Sequence, residues 1–220
     1  MSRSLPALLS SALGVCILPF LILTNVFLVM TPNWLALQYA QPGFPKAERF
    51  SDADRFHFGG ESIEYVAGNR TLAQFRALGV YEEREIKHMV DVRVLVDQVR
   101  VVWWLTGALI VLALIVLGRR AATQPLAARG LLTGALLTVA LFALVGVFAA
   151  VGFQTFFTLF HRVFFEGDTW LFNYTDSLIQ FYPLPFWFAT SITLVLATLV
   201  EASIIGAVGY GWGKRQAKRG

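Results

Sequence analysis

Four apolar runs, each long enough to cross a bilayer as a helix, constrain the fold of this 220-residue chain more than any other feature. A hydrocarbon core about 30 Å thick requires roughly 20 apolar residues in a helix. The composition agrees, because 56% of the residues are hydrophobic and only 15% are charged. The pattern predicts an all-α integral membrane protein with four transmembrane helices, whose apolar runs are 5–30, 101–118, 130–160 and 186–213.

Basic residues without acidic neighbours flank these runs and predict their orientation. They lie ahead of the first run, within 119–129 and in the tail 214–220. By the positive-inside rule, both termini and the 119–129 loop are expected to be cytoplasmic. The formal charge of +4 is then divided among three membrane anchors, which argues against a nucleic-acid partner. A single cysteine, Cys16, excludes an intrachain disulfide.

The segments opposite the basic loops are expected on the extracellular side. Within the first of them, SDADRFHFGGESIEYVAGN predicts a helix that begins at Ser51 and is broken or kinked at Gly59 and Gly60. We also expect the first run to be retained, because it exceeds the apolar region of a signal peptide. The predicted order is a first transmembrane helix at 1–30, an extracellular cap at 31–100, a second transmembrane helix at 101–118, a cytoplasmic loop at 119–129, a third transmembrane helix at 130–160, an extracellular loop at 161–185, a fourth transmembrane helix at 186–213 and a cytoplasmic tail at 214–220.

Two helices are expected to extend beyond the membrane on the outer side. The stretch YEEREIKHMVDVRVLVDQVRVVWW has acids in its first turn and no breaker before the run 101–118. The run 130–160 would be about 46 Å long as a straight helix, against a core of about 30 Å. It must therefore project, tilt strongly, or bend near Gly146 or Gly152.

These extensions place two of the three histidines at comparable heights. His88 and His161 would stand roughly 20 Å and 15 Å above the core at 1.5 Å per residue. Histidine is the side chain most readily tuned to take and return a proton near neutral pH, so the pair is a candidate proton-transfer site. Separate interfacial histidines packed on aromatic rings are the alternative. A zinc site with Asp91 or Asp168 is another, although no H-E-x-x-H, H-x-x-E-H or C-x-x-C motif occurs.

Glu201 is the one carboxylate inside an apolar run, and such a charge is a functional candidate. It is followed by Ser203, Gly206 and Gly209, small residues that are typical of close helix contacts. A hydrogen-bonded packing role is the preferred interpretation of this carboxylate.

The blocks REIKHMVDVRVL and FHRVFFEGDTWLFNYTDSLIQFYP, set in four spans with a cap between the first two, resemble the bacterial lipoprotein intramolecular transacylase (Lit) family. The segment SIEYVAGN is similar to the cap of that family. The match around Tyr174 and Asp176 is looser, and neither is carried over as a site residue. The resemblance implies an enzyme of the cell membrane that moves the sn-2 acyl chain of a diacylglyceryl-cysteine lipoprotein to the cysteine α-amino group, giving the lyso form.

The resemblance also implies which residues act. The two functional histidines of the family fall on His88 and His161, the same two that the spacing pairs. Contacts to the lipoprotein or to membrane lipid are expected from Asp91, Arg93, Arg162 and Trp170. No cofactor and no metal are expected, because the transfer from ester to amide is downhill. A non-catalytic receptor or accessory protein and an outer-face lipid hydrolase are the alternatives.

Overall fold

The computed structural model describes residues 4–165, 167 and 170–218, with the side chains of 148–151 excepted. The described residues are helical, with short connections between helices and no strand among them. The helices are α1 (Ser4–Val29), α2 (Pro32–Tyr39), α3 (Asp52–Ala67), α4 (Leu72–Arg76), α5 (Glu83–Gly118), α6 (Gln124–Val151), α7 (Phe153–Phe164), α8 (Ser177–Phe181) and α9 (Leu184–Ala217).

Four of these helices are long and apolar enough to cross a membrane. They are the segments Leu5–Val29, Glu83–Gly118, Gln124–Val147 and Leu184–Ala217. The prediction of an all-α chain with four membrane-crossing helices is confirmed, and the chain is a multi-pass membrane protein. The side of the membrane on which each terminus lies stays a prediction.

The third predicted run is divided between two helices. Helix α6 ends at Val151 and α7 begins at Phe153, with Gly152 between them. Gly152 is one of the two bend positions that the sequence predicts. By contrast, α5 runs over 36 residues without interruption, as its acidic first turn and breaker-free sequence predict.

Helix α3 corrects one prediction about the cap. Its start is as predicted, since Ser51 caps it by accepting the N–H of Asp54. The expected break at Gly59 and Gly60 is wrong, because the helix continues through both. Both glycines are buried, and a Cβ at Gly59 would lie 3.0 Å from a methyl carbon of Leu35. Gly59 therefore allows close packing of an intact helix.

One compact unit of the chain comprises the segment up to Asn25, Val99–Phe148 and the segment from Leu194 onward. Small residues bring its helices together: a Cβ at Gly134 would lie 2.7 Å from Ile17. Glu201 accepts a hydrogen bond from the Asn25 amide at 2.8 Å, which supports its packing role. Membrane helices associate through such close contacts and interhelical hydrogen bonds.

The other unit comprises Val26–Gln98 and Ala149–Thr193. Its core is an apolar cluster that includes Leu35, Phe75 and Phe181, each at most 1% exposed. Burial of aromatic and aliphatic side chains on this scale stabilises such a small unit. Both histidines of the predicted pair belong to it.

Candidate active site

His88 lies in the second turn of α5, and a buried carboxylate fixes the start of that helix. Glu85, 1% exposed, accepts the backbone N–H of Glu82 at 2.9 Å, as an acid at the third helical position does in a capping box. Its other oxygen accepts the N–H of Leu178 at 2.8 Å. Glu85 therefore ties the start of α5 to α8, and His88 follows three residues later on the same face of the helix.

His161 comes from the last turn of α7. Its Nδ1 lies 2.8 Å from the carbonyl oxygen of Phe157, one turn earlier. A carbonyl oxygen can only accept, so Nδ1 carries the hydrogen and, in the neutral ring, Nε2 carries the lone pair. The helix thus fixes both the orientation and the tautomer of this imidazole.

The two imidazoles face each other at short range. Their ring centroids are 6.2 Å apart and their planes differ by 27°. At this separation both rings are close enough to contact the same small group of a substrate. His88 is 8% exposed, and its Nδ1 has no hydrogen-bond partner among residues 4–165, 167 and 170–218. The pair therefore retains hydrogen-bonding capacity for a substrate.

Aromatic side chains enclose the pair. The rings of Phe165 and Phe172 lie 4.9 Å and 5.4 Å from that of His88. The indole of Trp170 lies 4.9 Å from the ring of His161, and its N–H donates to the carbonyl of Gly167 at 3.1 Å. Such walls exclude water and strengthen electrostatic interactions within the site.

An ion pair holds the chain that carries these aromatic walls. Asp176, 7% exposed, pairs with Arg84 of α5 and accepts the N–H of Asn173 at 2.6 Å. The guanidinium of Arg84 also lies 5.9 Å from the ring centroid of Phe172. This arrangement joins the wall beside His88 to the helix that carries it.

Burial sets the protonation of the site. It lowers the pKa of His161 from the ordinary 6.5, while the Phe157 carbonyl acts in the opposite direction by accepting from the ring. Desolvation has the larger effect, because a buried imidazolium loses its hydration. The ring of His161 is consequently neutral, and able to accept a proton, over more of the physiological pH range than an exposed histidine.

The other predicted contact residues are distributed differently. Asp91 is half-buried on α5 and Arg162 is exposed beside His161 on α7. Arg93 is already engaged, because it donates to the carbonyl of Tyr65 and to the carboxylate of Asp97. Trp170 is thus the one of the four that contacts an imidazole ring among the described contacts.

No three side chains of histidine, cysteine, aspartate or glutamate converge as metal ligands within the described part of the chain. Glu166 and Asp168, which the sequence places near His161, lie outside it. His57, the third histidine, is exposed on α3.

The sequence did not point to Glu85 as a site residue, and Asp176 was not carried over from the family as one. Glu85 had a usable local signal, since it is an acid at the third position of a predicted helix. Its contact with Leu178, 93 residues away, had none. The same holds for the pair between Arg84 and Asp176, 92 residues apart.

These features define a multi-pass helical membrane protein with two neighbouring imidazoles, one buried and one half-buried, among aromatic side chains. The sequence model described as "Lipoprotein intramolecular transacylase Lit" matches residues 11–187. The chain belongs to the Lit family, a family of lipoprotein intramolecular transacylases.

Known proteins are similar to this chain in fold or in sequence. The membrane-integral transacylase Lit of Bacillus cereus superposes with a TM-score of 0.79 at 18% identity, covering 97% of this chain and 98% of that one. A variant of it with a histidine replaced by arginine gives 0.74 at 16%, covering 98% and 95%. An Aquifex aeolicus (strain VF5) protein named only "Uncharacterized protein" is 20% identical over 211 residues, covering 90% of this chain and 91% of its own.

Proposed function

We propose that this protein moves the sn-2 acyl chain of a diacylglyceryl-modified N-terminal cysteine to the α-amino group of the same cysteine. The product is the N-acyl, S-monoacylglyceryl lyso form of the lipoprotein. Family membership supports the class of enzyme. The observation that supports the chemistry is the 6.2 Å separation of two imidazole rings, His88 and His161, in an aromatic pocket.

The reaction forms a bond between the amine nitrogen and the acyl carbon and breaks the ester bond to glycerol. One proton leaves the nitrogen and one proton arrives at the glycerol oxygen, so no cofactor is required. In this proposal His161 is the general base, because its Nδ1–H is committed to the Phe157 carbonyl and its Nε2 has no hydrogen-bond partner among the described contacts. A positioned base contributes about 10²–10⁴-fold.

His88 then has the complementary role. A neutral imidazole carries one N–H, and its buried position favours the neutral ring. That N–H would donate to the oxyanion that develops on the acyl carbonyl oxygen. Donors fixed in a water-poor site stabilise such charge more than the same donors in water.

Orientation supplies the remaining acceleration. The amine and the ester belong to one molecule, so the pocket needs chiefly to fold the headgroup into a reactive conformer. Effective molarities for well-oriented groups reach about 10⁵–10⁸ M. Acyl chains would lie along the apolar face of α7, where Phe160 and Val163 are 45% and 75% exposed.

Four residues are proposed as substrate contacts. Trp170 would border the glycerol, and Arg162 and Asp91 would meet polar groups of the headgroup. Arg93 would contact the substrate from its position beside α3, where its guanidinium already donates to the Tyr65 carbonyl and the Asp97 carboxylate.

The proposed topology places both termini and 119–129 in the cytoplasm. The cap at 31–100 and the loop at 161–185 would lie outside the cell membrane, around transmembrane helices at 1–30, 101–118, 130–160 and 186–213. The pair would then face the outer leaflet, where a diacylated lipoprotein is anchored. Basic flanking segments support this orientation.

Mass spectrometry of the N-terminal lipopeptide tests the proposal. The purified protein is incubated with a diacylated lipoprotein and no phospholipid donor. We expect lyso-form product from the wild type and from His57→Ala, which removes an exposed histidine. His88→Ala and His161→Ala should each reduce the rate at least about 100-fold.

The alternatives give different products. Free fatty acid without N-acyl peptide would identify a lipid hydrolase at the same histidines. No change in the lipopeptide with any variant would favour a receptor or accessory protein. Unaltered lyso-form production by both histidine variants would refute the assigned site.

A further inference from the structure

The cap contains a cavity of about 410 Å³ between α2 and the start of α3. Its lining residues all come from 36–56, so it is separate from the imidazole pair. The aromatic rings of Tyr39 and Phe44 form one wall, and Arg55 lies against them. Neither the proposed reaction nor the family assignment uses this cavity.

Arg55 is the unusual residue of this cavity. It is 3% exposed, and its Cζ lies 4.3 Å from the ring centroid of Tyr39 and 5.1 Å from that of Phe44. Nη1 donates to the carbonyl of Pro45 at 2.5 Å. Nε and Nη2 have no hydrogen-bond partner within the described residues. A buried guanidinium with unused donors is unfavourable unless an anion or water meets them.

The remaining charges of the cavity favour an anion. Lys46 is exposed at its edge and Asp52 is the one acidic side chain in its lining, so the lining carries one net positive charge with Arg55. The Tyr39 hydroxyl donates to the carbonyl of Phe181 at 2.8 Å, and burial raises the Tyr39 pKa, so its oxygen is a neutral polar neighbour of the guanidinium and not a counter-ion. The rings cover the guanidinium face, which leaves its N–H edge for a planar or tetrahedral oxyanion.

We propose that this cavity binds one phosphate group, with Arg55 as the buried hydrogen-bonding partner and Lys46 as the outer cation. An arginine fork matches the geometry of phosphate oxygens, and a lysine adds a point charge. Phe56 lines the same cavity and is 41% exposed, so an apolar surface adjoins the anion site. The phosphate belongs either to a phospholipid headgroup or to free inorganic phosphate.

Binding is measured with full-length protein in a neutral detergent, by isothermal titration and by native mass spectrometry. The probes are dihexanoyl phosphatidylglycerol below its micellar concentration, inorganic phosphate, and dihexanoylglycerol, which lacks the phosphate. Binding of the phospholipid alone identifies a headgroup site, and binding of both phosphate compounds identifies a general phosphate site. Equal binding of dihexanoylglycerol and the phospholipid, or no binding of either phosphate compound, overturns the proposal.

Two charge changes at the cavity, one removing a cation and one removing an anion, should shift the affinity in opposite directions. A general loss of folding would not produce opposite shifts. Arg55→Lys should weaken binding about tenfold or more, because the planar fork is lost. Lys46→Gln should weaken it about two- to fivefold and Asp52→Asn should strengthen it by a similar factor, as expected for partly exposed charges. Neither Lys46 nor Asp52 makes a hydrogen bond with the buried guanidinium among the described contacts, and Asp52 acts on it only through its charge. Lys214→Gln on α9 removes the same charge elsewhere and should have no effect. Identical affinities for Lys46→Gln, Asp52→Asn and the wild type contradict the site.

Discussion

Replacing Glu85 by glutamine should uncouple the start of α5 from α8. The carboxylate accepts two backbone N–H groups, those of Glu82 at 2.9 Å and Leu178 at 2.8 Å, while only 1% exposed. An amide supplies one acceptor oxygen, so one buried N–H would face an NH₂ group. A lost hydrogen bond to a charged group costs about 1.5–3 kcal/mol, and the unsatisfied N–H adds to that. We expect a total near 3 kcal/mol.

Thermal unfolding in detergent, followed by tryptophan fluorescence at one heating rate, measures this change. A loss of about 3 kcal/mol in a chain of this size lowers the midpoint by about 6–12 °C. Glu82→Gln is the matched control, because it removes an exposed carboxylate three residues away and should shift the midpoint by less than about 2 °C. Acyl transfer measured well below the midpoint should also fall for Glu85→Gln, since His88 follows on the same helix face. Indistinguishable unfolding midpoints for the two variants would refute the conclusion that Glu85 connects the start of α5 to α8.

Two further predictions concern the proton and the membrane helices. Burial lowers the pKa of His161, and a base works only when neutral. The α-amino group of the substrate, with an ordinary pKa of about 7.7–8.0, must also be neutral to attack, so it gives an acid limb of its own. The limb of His161 in kcat/KM should be a second one centred below 6.5, and a second limb centred at or above 6.5 would contradict this. Gly209→Ala would place a Cβ 3.0 Å from atoms of α6 and should destabilise by about 1–3 kcal/mol. Gly211→Ala, with no atom within 4 Å of the new Cβ, should leave the unfolding midpoint unchanged or slightly higher, and equal losses in both variants would argue against close packing at Gly209.

The sequence predicted those parts of the fold that depend on local patterns. Apolar length identified the membrane-crossing helices, and Ser51 marked the start of α3 because a capping side chain acts within three residues. The intact course of α3 through Gly59 was not predictable, since its reason is the approach of Leu35 from another helix. A glycine pair indicates a break or a close contact equally well until the neighbour is known.

The candidate site shows the same division. Helical rise alone placed His88 and His161 at similar heights, and the structure brings their rings to 6.2 Å. Helical rise gives the height of a residue along its helix but not the direction in which that helix is turned toward its neighbour. The spacing therefore could not predict that the two rings face each other. The unpartnered donors of Arg55 had no sequence signal either, because a charged residue in a polar helix normally faces water.

The number of protons in the transfer assigns different tasks to the two imidazoles. The proposed reaction would move one proton from nitrogen to oxygen, so a single base that takes it and returns it would complete the cycle. A neutral imidazole that gave up its N–H would become an anion, which a buried, aromatic environment disfavours. We therefore expect His161 to carry the proton both ways and His88 to donate a hydrogen bond without releasing its own.

Glutamine substitutions separate these tasks. Glutamine retains an N–H donor but cannot act as a base near neutral pH. His88→Gln should therefore keep more activity than His88→Ala, by about tenfold or more if one oxyanion donor is worth the usual 10²–10³-fold. His161→Gln should be as impaired as His161→Ala, because neither side chain can accept the proton. Rates of lyso-form production by the four variants, compared at one pH, test which imidazole is the base and which is the hydrogen-bond donor. Equal rescue by glutamine at both positions would mean that His161 acts as a donor, and equal loss at both would mean that each imidazole must titrate.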